Sequence, residues 1–586
     1  MTANKPIDDL IIIGIDFGTT FSGIAWAYSR EPDDIEVVTS WETQMSHCSD
    51  VEKAPTQLFY DKEDKATTWG YSIPPAKEAL KWFKLLLLDE LDIPTDLSDS
   101  TQLREARNLL KKSKKDVVEV VACYLRKIWN HAIDSIRRSV GPELLQSSRF
   151  HIVVTLPAIW PPSAEQRMKK AARISGMLDA RPCGKTTLSF ISEPEAAALA
   201  TIKDLFKRPT IKKGDTMVIC DAGGGTVDLI SYVIESIDPF IVKECVKGDG
   251  GLCGGVFLDE NFIKLIKTKV SPGSWEYVSK SQERKFLKVE WEHGIKRSFS
   301  DSLQQRTWQV ELPDTCSGSS NRRVKRQKSL ELTSNDILSV FTPIIDKIET
   351  LLRRQTQAIQ AEYGQPAKYI ILVGGFGRCP YLYSKLQSAM GTTILQSGKD
   401  KPWTAICRGA VVHGITRFNL SPNLGIRVDT RVARRNFGVA FTCKFDPDKH
   451  HRRHKFWSEE YQMWFAGCQV KWFLKEGECM STKEPVLENY SMLFSEPIGQ
   501  ISETIYSCST FPPPATMDPT VRELCKIHWT REPSLEALPT YTNPLGKVYH
   551  RLDYKVEMTC EDGTVDFTIY FEGKHVGARN VEVEFH

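Results

Sequence analysis

Apolar residues run without interruption from Ile11 to Ile15 and stop at Asp16-Phe17-Gly18. Such a run predicts a strand buried on both faces and closed by a tight turn. Gly23 to Tyr28 predicts the returning strand of a hairpin. The same plan recurs with its aspartate 205 residues further on: Met217 to Cys220 is apolar, Asp221-Ala222-Gly223-Gly224-Gly225-Thr226 is a turn, and Val227 to Ile234 returns. Two units of strand, Asp-x-Gly turn and strand predict a duplicated pair of lobes.

Around these repeats the pattern predicts helices over 75–88, 101–112 and 114–139. The last carries Val117, Val120, Val121, Tyr124 and Ile128 at helical spacing. His151 to Leu156 predicts a buried strand ended by Pro157, and Ala164 to Met177 a helix. Ser192-Glu193-Pro194-Glu195 opens another helix, with a Ser cap, an acid three residues on and Pro in the first turn. Ile337 to Leu352 and Tyr381 to Met390 predict further helices, and Lys368 to Val373 a strand. Past about residue 420 the period becomes two. Tyr554, Val556, Met558 and Cys560 alternate with polar residues, Glu561-Asp562-Gly563 marks a hairpin turn, and Val565, Phe567, Ile569 and Phe571 alternate again. Val581, Val583 and Phe585 continue the alternation, and Pro512-Pro513-Pro514 marks a loop.

The 586 residues are too many for one core. With 77 basic and 74 acidic residues, the net charge of +3 gives no field argument for nucleic acid or a membrane surface as partner. No window holds the eighteen apolar residues of a membrane span, and Asp8 and Asp9 stand where a secretory signal needs a basic flank. An intracellular, cytoplasmic chain is expected. The basic run Arg322-Arg323-Val324-Lys325-Arg326 is a solvated loop or a nuclear address. Fifteen scattered cysteines without a Cys-x-x-Cys pair predict neither a zinc ribbon nor a redox dithiol. His450-His451-Arg452-Arg453-His454 has cationic neighbours, which speaks against a metal.

The turns carry the candidate chemistry. A triphosphate needs dense backbone donors, and glycines let the main chain approach it closely. Asp16-Phe17-Gly18-Thr19-Thr20 supplies one such turn and Asp221 to Thr226 a second, with Gly223, Gly224 and Gly225 in succession. Facing each other, they would clamp phosphates from both sides, with Asp16 and Asp221 placed for a hydrated Mg²⁺. No Gly-Lys-Ser/Thr follows, so the P-loop class is disfavoured. A third loop, Gly374-Gly375-Phe376-Gly377-Arg378, could admit a nucleoside, with the Arg378 guanidinium stacking on a base. Lys296 and Arg297 fall on a predicted helix with Ser300 one turn on.

In this order the loops resemble the nucleotide-binding domain of the seventy-kilodalton heat-shock chaperones. Ser192-Glu193-Pro194-Glu195-Ala196-Ala197-Ala198 is similar to their Glu-Pro-x-Ala-Ala-Ala segment. Gly254-Gly255 with Asp259 resembles their Gly-Gly-x-x-x-Asp element, and Thr155-Leu156-Pro157-Ala158 their Thr-Val-Pro-Ala. The resemblance spans roughly residues 10 to 418. It implies a two-lobed actin-like ATPase fold, each lobe a ribonuclease-H-like α/β sheet. The implied lobes are 1–210 and 211–418, followed by a β-rich domain at 419–586.

The resemblance also implies roles. Asp16, Asp221 and Glu193 would hold Mg²⁺ through water; Gly18, Thr19, Thr20 and Gly223 to Thr226 would contact phosphate. Asp228 would position the attacking water, and Lys84 corresponds to the family's catalytic lysine. Lys296, Arg297, Ser300, Gly374, Gly375 and Arg378 would line the adenosine pocket of ATP or ADP. The implied function is an Mg-dependent ATPase that switches a C-terminal domain for client or regulatory proteins, served by J-type or nucleotide-exchange co-chaperones.

The departures fall at the adenosine end. Phe376 replaces a small Ser, Trp403 replaces an Asp, and the Glu before Lys-Arg is offset by one residue, at Glu292. No acidic-hydrophobic linker stands between Gly414 and Val428, and no helical lid is predicted. This resembles the divergent "member 12" branch of the family and its fungal relatives. A nucleotide sensor with little hydrolysis is the alternative; a sugar-kinase-like enzyme and a filament former share the fold.

Overall fold

In the computed structural model the described residues are 9–43, 51–61, 67–74, 77–90, 92–93, 100–158, 160–205, 211–300, 306–317, 329–398, 401–421, 426–481, 484–531, 533–561 and 564–578. The chain divides into two compact units. The first is Met1–Val242 with Gly248–Arg427; the second is Val428–His586 with Lys243–Lys247. The division thus falls at 427/428 rather than 418/419, and a five-residue strand segment groups with the later unit.

The first unit holds two sheets of one plan. In the first, β1 (Leu10–Asp16) pairs antiparallel with β2 (Phe21–Tyr28), which pairs with β3 (Glu36–Val37) and β4 (Lys53–Pro55). On its other side β1 runs parallel to β5 (Arg149–Leu156), and β5 to β6 (Thr187–Ser192). The second sheet repeats this order. Its β7 (Thr216–Ala222) pairs antiparallel with β8 (Val227–Ile237), which adjoins β9 (Phe240–Gly251). On its other side β7 runs parallel to β10 (Tyr369–Val373), and β10 to β11 (Thr393–Gln396). The duplicated hairpins of the sequence are therefore the central strands of two like sheets.

The helices α1 (Thr101–Ser113), α2 (Val117–Val140), α3 (Pro162–Ser175), α4 (Glu193–Leu205), α5 (Gly255–Lys269), α6 (Ser334–Tyr363), α7 (Pro380–Met390) and α8 (Lys401–Arg417) cover these sheets. Every residue of β1 is buried because both of its faces are covered. Ile11, Ile13 and Ile15 join a core with Val121, Leu125 and Ile128 of α2, whereas Leu10 and Ile12 meet Cys407, Val411 and Ile415 of α8. Gly14 lets α8 lie on the strand: a Cβ there would stand 2.9 Å from Ala410 Cβ. Asp116 caps α2 by accepting from the Val118 amide at 3.0 Å, and Thr333 and Asp336 form a capping box on α6.

The predicted helix over 75–88 is corrected. Residues 75 and 76 lie outside the described residues; beyond them come a short strand, Leu80–Lys81, and a 3₁₀ turn, Phe83–Leu87. Phe83, Lys84, Leu85 and Leu87 are all buried, so the turn presents no polar stripe of the kind an amphipathic helix needs. Trp82 enters it at φ +61°, in the left-handed region.

A second difference falls at Lys296 to Ser300. Leu287–Ile295 is π-helical, with wider turns than an α-helix, and the offset Glu292 lies within it. The helix then ends at Ser298, so Ser300 is not one helical turn beyond Lys296 and Arg297. Phe299 leaves the helix to pack against Phe341 and Tyr381, at 5.2 and 4.8 Å between ring centres.

The second unit is β-rich. Lys455–Ser458, Met463–Leu474, Asn436–Lys444, Ser502–Cys508 and Arg522–His528 form one antiparallel sheet in that order. Val486–Phe494, Val548–Glu561, Thr564–Phe571 and Lys574–Ala578 form another. Asp562 and Gly563 of the predicted hairpin, the alternation at Val581 to Phe585, and the basic run 322–326 lie outside the described residues. Among the described residues no helix is long and apolar enough to cross a membrane.

Inside this unit the Tyr554 hydroxyl donates to buried Glu503. Burial outweighs that hydrogen bond and pushes the Glu503 carboxyl up to about 7. The folded state thus holds this proton more tightly than the unfolded chain. The resulting stability is complete below the unfolded value of 4.5 and is lost as pH rises through about 7. About 3 kcal/mol of stability is at stake. Thermal melts from pH 4.5 to 8.5 are expected to show the second unit weakening across this window, and Glu503→Gln to flatten the profile.

Candidate functional site

The two Asp-x-Gly turns meet. Thr20 and Gly224 face each other so closely that a Cβ at Gly224 would overlap the Thr20 hydroxyl. Gly225 lies beneath Trp82 and Thr19, where a Cβ would stand 3.4 and 3.8 Å from their side chains. The entry to α5 pins the second turn from behind. The amides of Gly254, Gly255 and Val256 donate to the carbonyls of Gly225, Gly223 and Gly224 at 3.2, 3.1 and 2.9 Å. Thr56 pins the first: its amide donates to the Thr20 carbonyl at 2.8 Å and its hydroxyl to the Gly18 carbonyl at 2.7 Å. Gly18, Thr19, Thr20 and Gly223 to Thr226 are thereby assembled into one pair of opposed loops.

Ionisable side chains are buried around them. Asp16 ends β1, Asp221 lies one residue from the end of β7, and Asp228 stands directly across from Asp221 on β8. Glu193 begins α4, whose start is held by the Ser192 hydroxyl accepting from the Glu195 amide at 3.3 Å. Lys84, on the 3₁₀ turn, donates to Glu193. Its ammonium also lies 5.3 Å from the Trp160 ring and 5.8 Å from the Phe17 ring. Lys53, which no sequence pattern singled out, donates to Asp16.

Crowded acids in a dry cleft resist ionisation. Burial, then the neighbouring charges of Glu193, Asp228 and Asp16, raise the Asp221 carboxyl well above the usual range, although Lys53 opposes them. Burial likewise raises Glu193 against the pull of Lys84, and Asp228 against a hydrogen bond from Thr226. Burial works against the Lys53 ammonium, yet Asp16, with Cys407 and Asp221 beyond it, leaves its pKa above the ordinary lysine value. Asp221 Oδ1 is buried without a hydrogen-bond partner. Among the described residues no three acidic, His or Cys side chains converge on one point. This donor set fits Mg²⁺, which keeps several waters and takes one or two carboxylates.

The third loop is built differently. Lys296 donates to the Gly255 carbonyl at 2.8 Å and to Asp259 Oδ1 at 2.6 Å, and the Trp291 indole donates to the same oxygen at 2.7 Å. Gly374 takes φ +85°, and a Cβ there would strike Asp221 Oδ1, so this glycine lets the third loop reach the acidic cleft. Gly375 is faced by Trp403, whose Nε1 lies 3.3 Å from where a Cβ would be. Arg378 lies 5.2 Å over the Trp403 ring, and Phe21 meets that ring edge-on at 5.7 Å. Arg378 thus stacks on a tryptophan of the chain itself. Phe376 is buried, Arg297 is exposed, and Ser300 is half-buried.

A duplicated two-lobed α/β frame, with an acidic cleft between opposed glycine turns and a β-rich region after it, defines the actin-like ATPase class. The model of the Hsp70 protein family matches residues 107–419. Heat shock 70 kDa protein 12A of Mus musculus is 26% identical over 517 residues, 75% of this chain and 73% of its own length. Heat shock 70 kDa protein 12B of Homo sapiens is 26% identical over 530 residues, 75% and 72% of the two chains. Chaperone protein dnaK of Guillardia theta is 24% identical over 459 residues, 72% and 65% of the two. The chain belongs to the Hsp70 family, a family of ATP-binding, chaperone-like proteins.

Proposed function

We propose that the chain binds ATP with Mg²⁺ between its two Asp-x-Gly turns and hydrolyses it to ADP and phosphate. The nucleotide state then switches the β-rich second unit as a docking module for client or regulatory proteins. The observation that carries this is the meeting of Thr20 with Gly224 above buried Asp16, Asp221, Asp228, Glu193 and Lys84.

The backbone amides and threonine hydroxyls of the turns bind the phosphates. Asp16 and Asp221, with Glu193 behind them, would hold Mg²⁺ through water. When bound, that ion supplies charge neutralisation at the phosphate oxygens. Asp228 orients a water whose oxygen attacks the γ-phosphorus; the bond from phosphorus to the bridging oxygen breaks, and ADP leaves with the electron pair. Lys84 offsets the charge that develops in the transition state. The site of action is cytoplasmic, with J-type and nucleotide-exchange co-chaperones as regulators.

Asp221→Asn separates binding from stability. The aspartate carries a burial penalty, so its neutral isostere is expected to keep or raise the melting temperature. Calorimetric titration with Mg-ATP is expected to show at least about tenfold weaker binding. Unchanged affinity would remove the cleft from the reading. The tryptophan on Gly375 favours a second reading, a nucleotide sensor, which stands if ATP binds but a single turnover never completes.

A further inference from the structure

One lysine in the phosphate cleft is held by more of the surrounding structure than an ion pair requires. Lys53 opens β4 opposite Gly23 of β2. A Cβ at Gly23 would stand 2.9 Å from Lys53 Cγ and 3.3 Å from its Cε. The bare backbone at Gly23 therefore forms the trough in which the lysine stem lies, and the trough ends at Asp16, whose Oδ2 accepts from the ammonium. The Tyr71 hydroxyl donates to the Lys53 carbonyl at 3.1 Å. Three residues on, Thr56 is tied to Gly18 and Thr20 of the first turn. Lys53 is only 4% exposed.

A buried lysine–carboxylate pair brings little net stability, because both ions lose their water. The pair therefore calls for a role in binding rather than in folding. A lysine is a flexible point charge suited to phosphate oxygens. Asp221 on the opposite turn, with one oxygen lacking a partner, leaves room for a metal on the other side of the cleft.

We propose that Lys53 is a built-in cation of the phosphate site: it neutralises Asp16 while the cleft is empty and passes to the phosphate oxygens when nucleotide binds. A large share of nucleotide affinity then does not depend on a divalent cation. This rests on the nucleotide-binding reading above.

The test is calorimetric titration of the full chain with ADP and with ATP, in Mg²⁺ and in EDTA, for wild type, Lys53→Met and Lys53→Arg. Wild type is expected to lose no more than about tenfold in affinity on chelation, the scale of one charge-assisted contact. Lys53→Met is expected to bind in Mg²⁺ but to lose about 100-fold or more in EDTA, with Lys53→Arg in between. Loss of wild-type binding in EDTA alone would overturn the inference, as would equal Mg²⁺ dependence in wild type and a folded Lys53→Met. The wild-type arm needs no variant, so misfolding cannot hide the answer. No binding by wild type even with Mg²⁺ would instead overturn the nucleotide reading and this inference with it.

Discussion

Lys84→Met is expected to slow single-turnover hydrolysis of ATP by about 100-fold or more, the scale of removing one preorganised charge from a dry site. Mg-ATP binding is expected to stay within about fivefold, because the ammonium acts on charge that appears only in the transition state. Lys84 is 1% exposed, paired with Glu193, and set over the Phe17 and Trp160 rings. Methionine keeps a stem of similar length against these rings. It leaves Glu193 without its counter-charge, but burial already favours the protonated carboxyl there. Folding is therefore expected to survive while the rate falls. A rate close to wild type would make Lys84 a tether for α4 and return its role to packing.

The largest expected effect on stability is at Gly409. It lies where α8 crosses α4, and a Cβ there would overlap the Ala196 carbonyl oxygen, with Ala196 Cα at 2.9 Å. These are backbone atoms of a helix and cannot rotate aside. Ala196, Ala197 and Ala198 are fully buried, so the crossing is held by small residues. Gly409→Ala is expected to destabilise the first unit by about 3 kcal/mol or more, as overpacking forces helices apart. Denaturant unfolding followed through the first unit's tryptophans would show a lower midpoint. Because α4 carries Glu193 and α8 lies on β1, nucleotide affinity is expected to fall with it. An unchanged midpoint would mean that the two helices separate at no cost.

The parts of the site that were legible in the sequence are those written by local pattern. Continuous apolar runs ending in Asp-x-Gly announce buried strands and tight turns wherever they occur, and Asp16 and Asp221 sit at the ends of such strands. The repeat announced two like sheets, and the period of two after residue 420 announced the β-rich unit. What stayed hidden depends on partners distant in sequence. Lys53 is one charged residue in a short edge segment; its meaning comes from Gly23, thirty residues earlier, and from Asp16. Trp403 read as a lost acid, whereas its position against Gly375, Phe21 and Arg378 needs three separate segments to meet. The 75–88 run misled because the buried 3₁₀ turn Phe83–Leu87 and an amphipathic helix share apolar letters. The π-helical turns around the offset Glu292 were likewise invisible, because apolar spacing does not separate them from α-helical ones.

Nucleotide is proposed to occupy the space between the two opposed turns. Amide hydrogen exchange of the full chain, with and without saturating Mg-ATP, tests it most directly. Exchange is expected to slow at Gly18 to Thr20 and at Gly223 to Thr226 together, because both sets of amides would be donating to phosphate. Slowed exchange in only one of these turns, or in neither while ATP is bound, would contradict it.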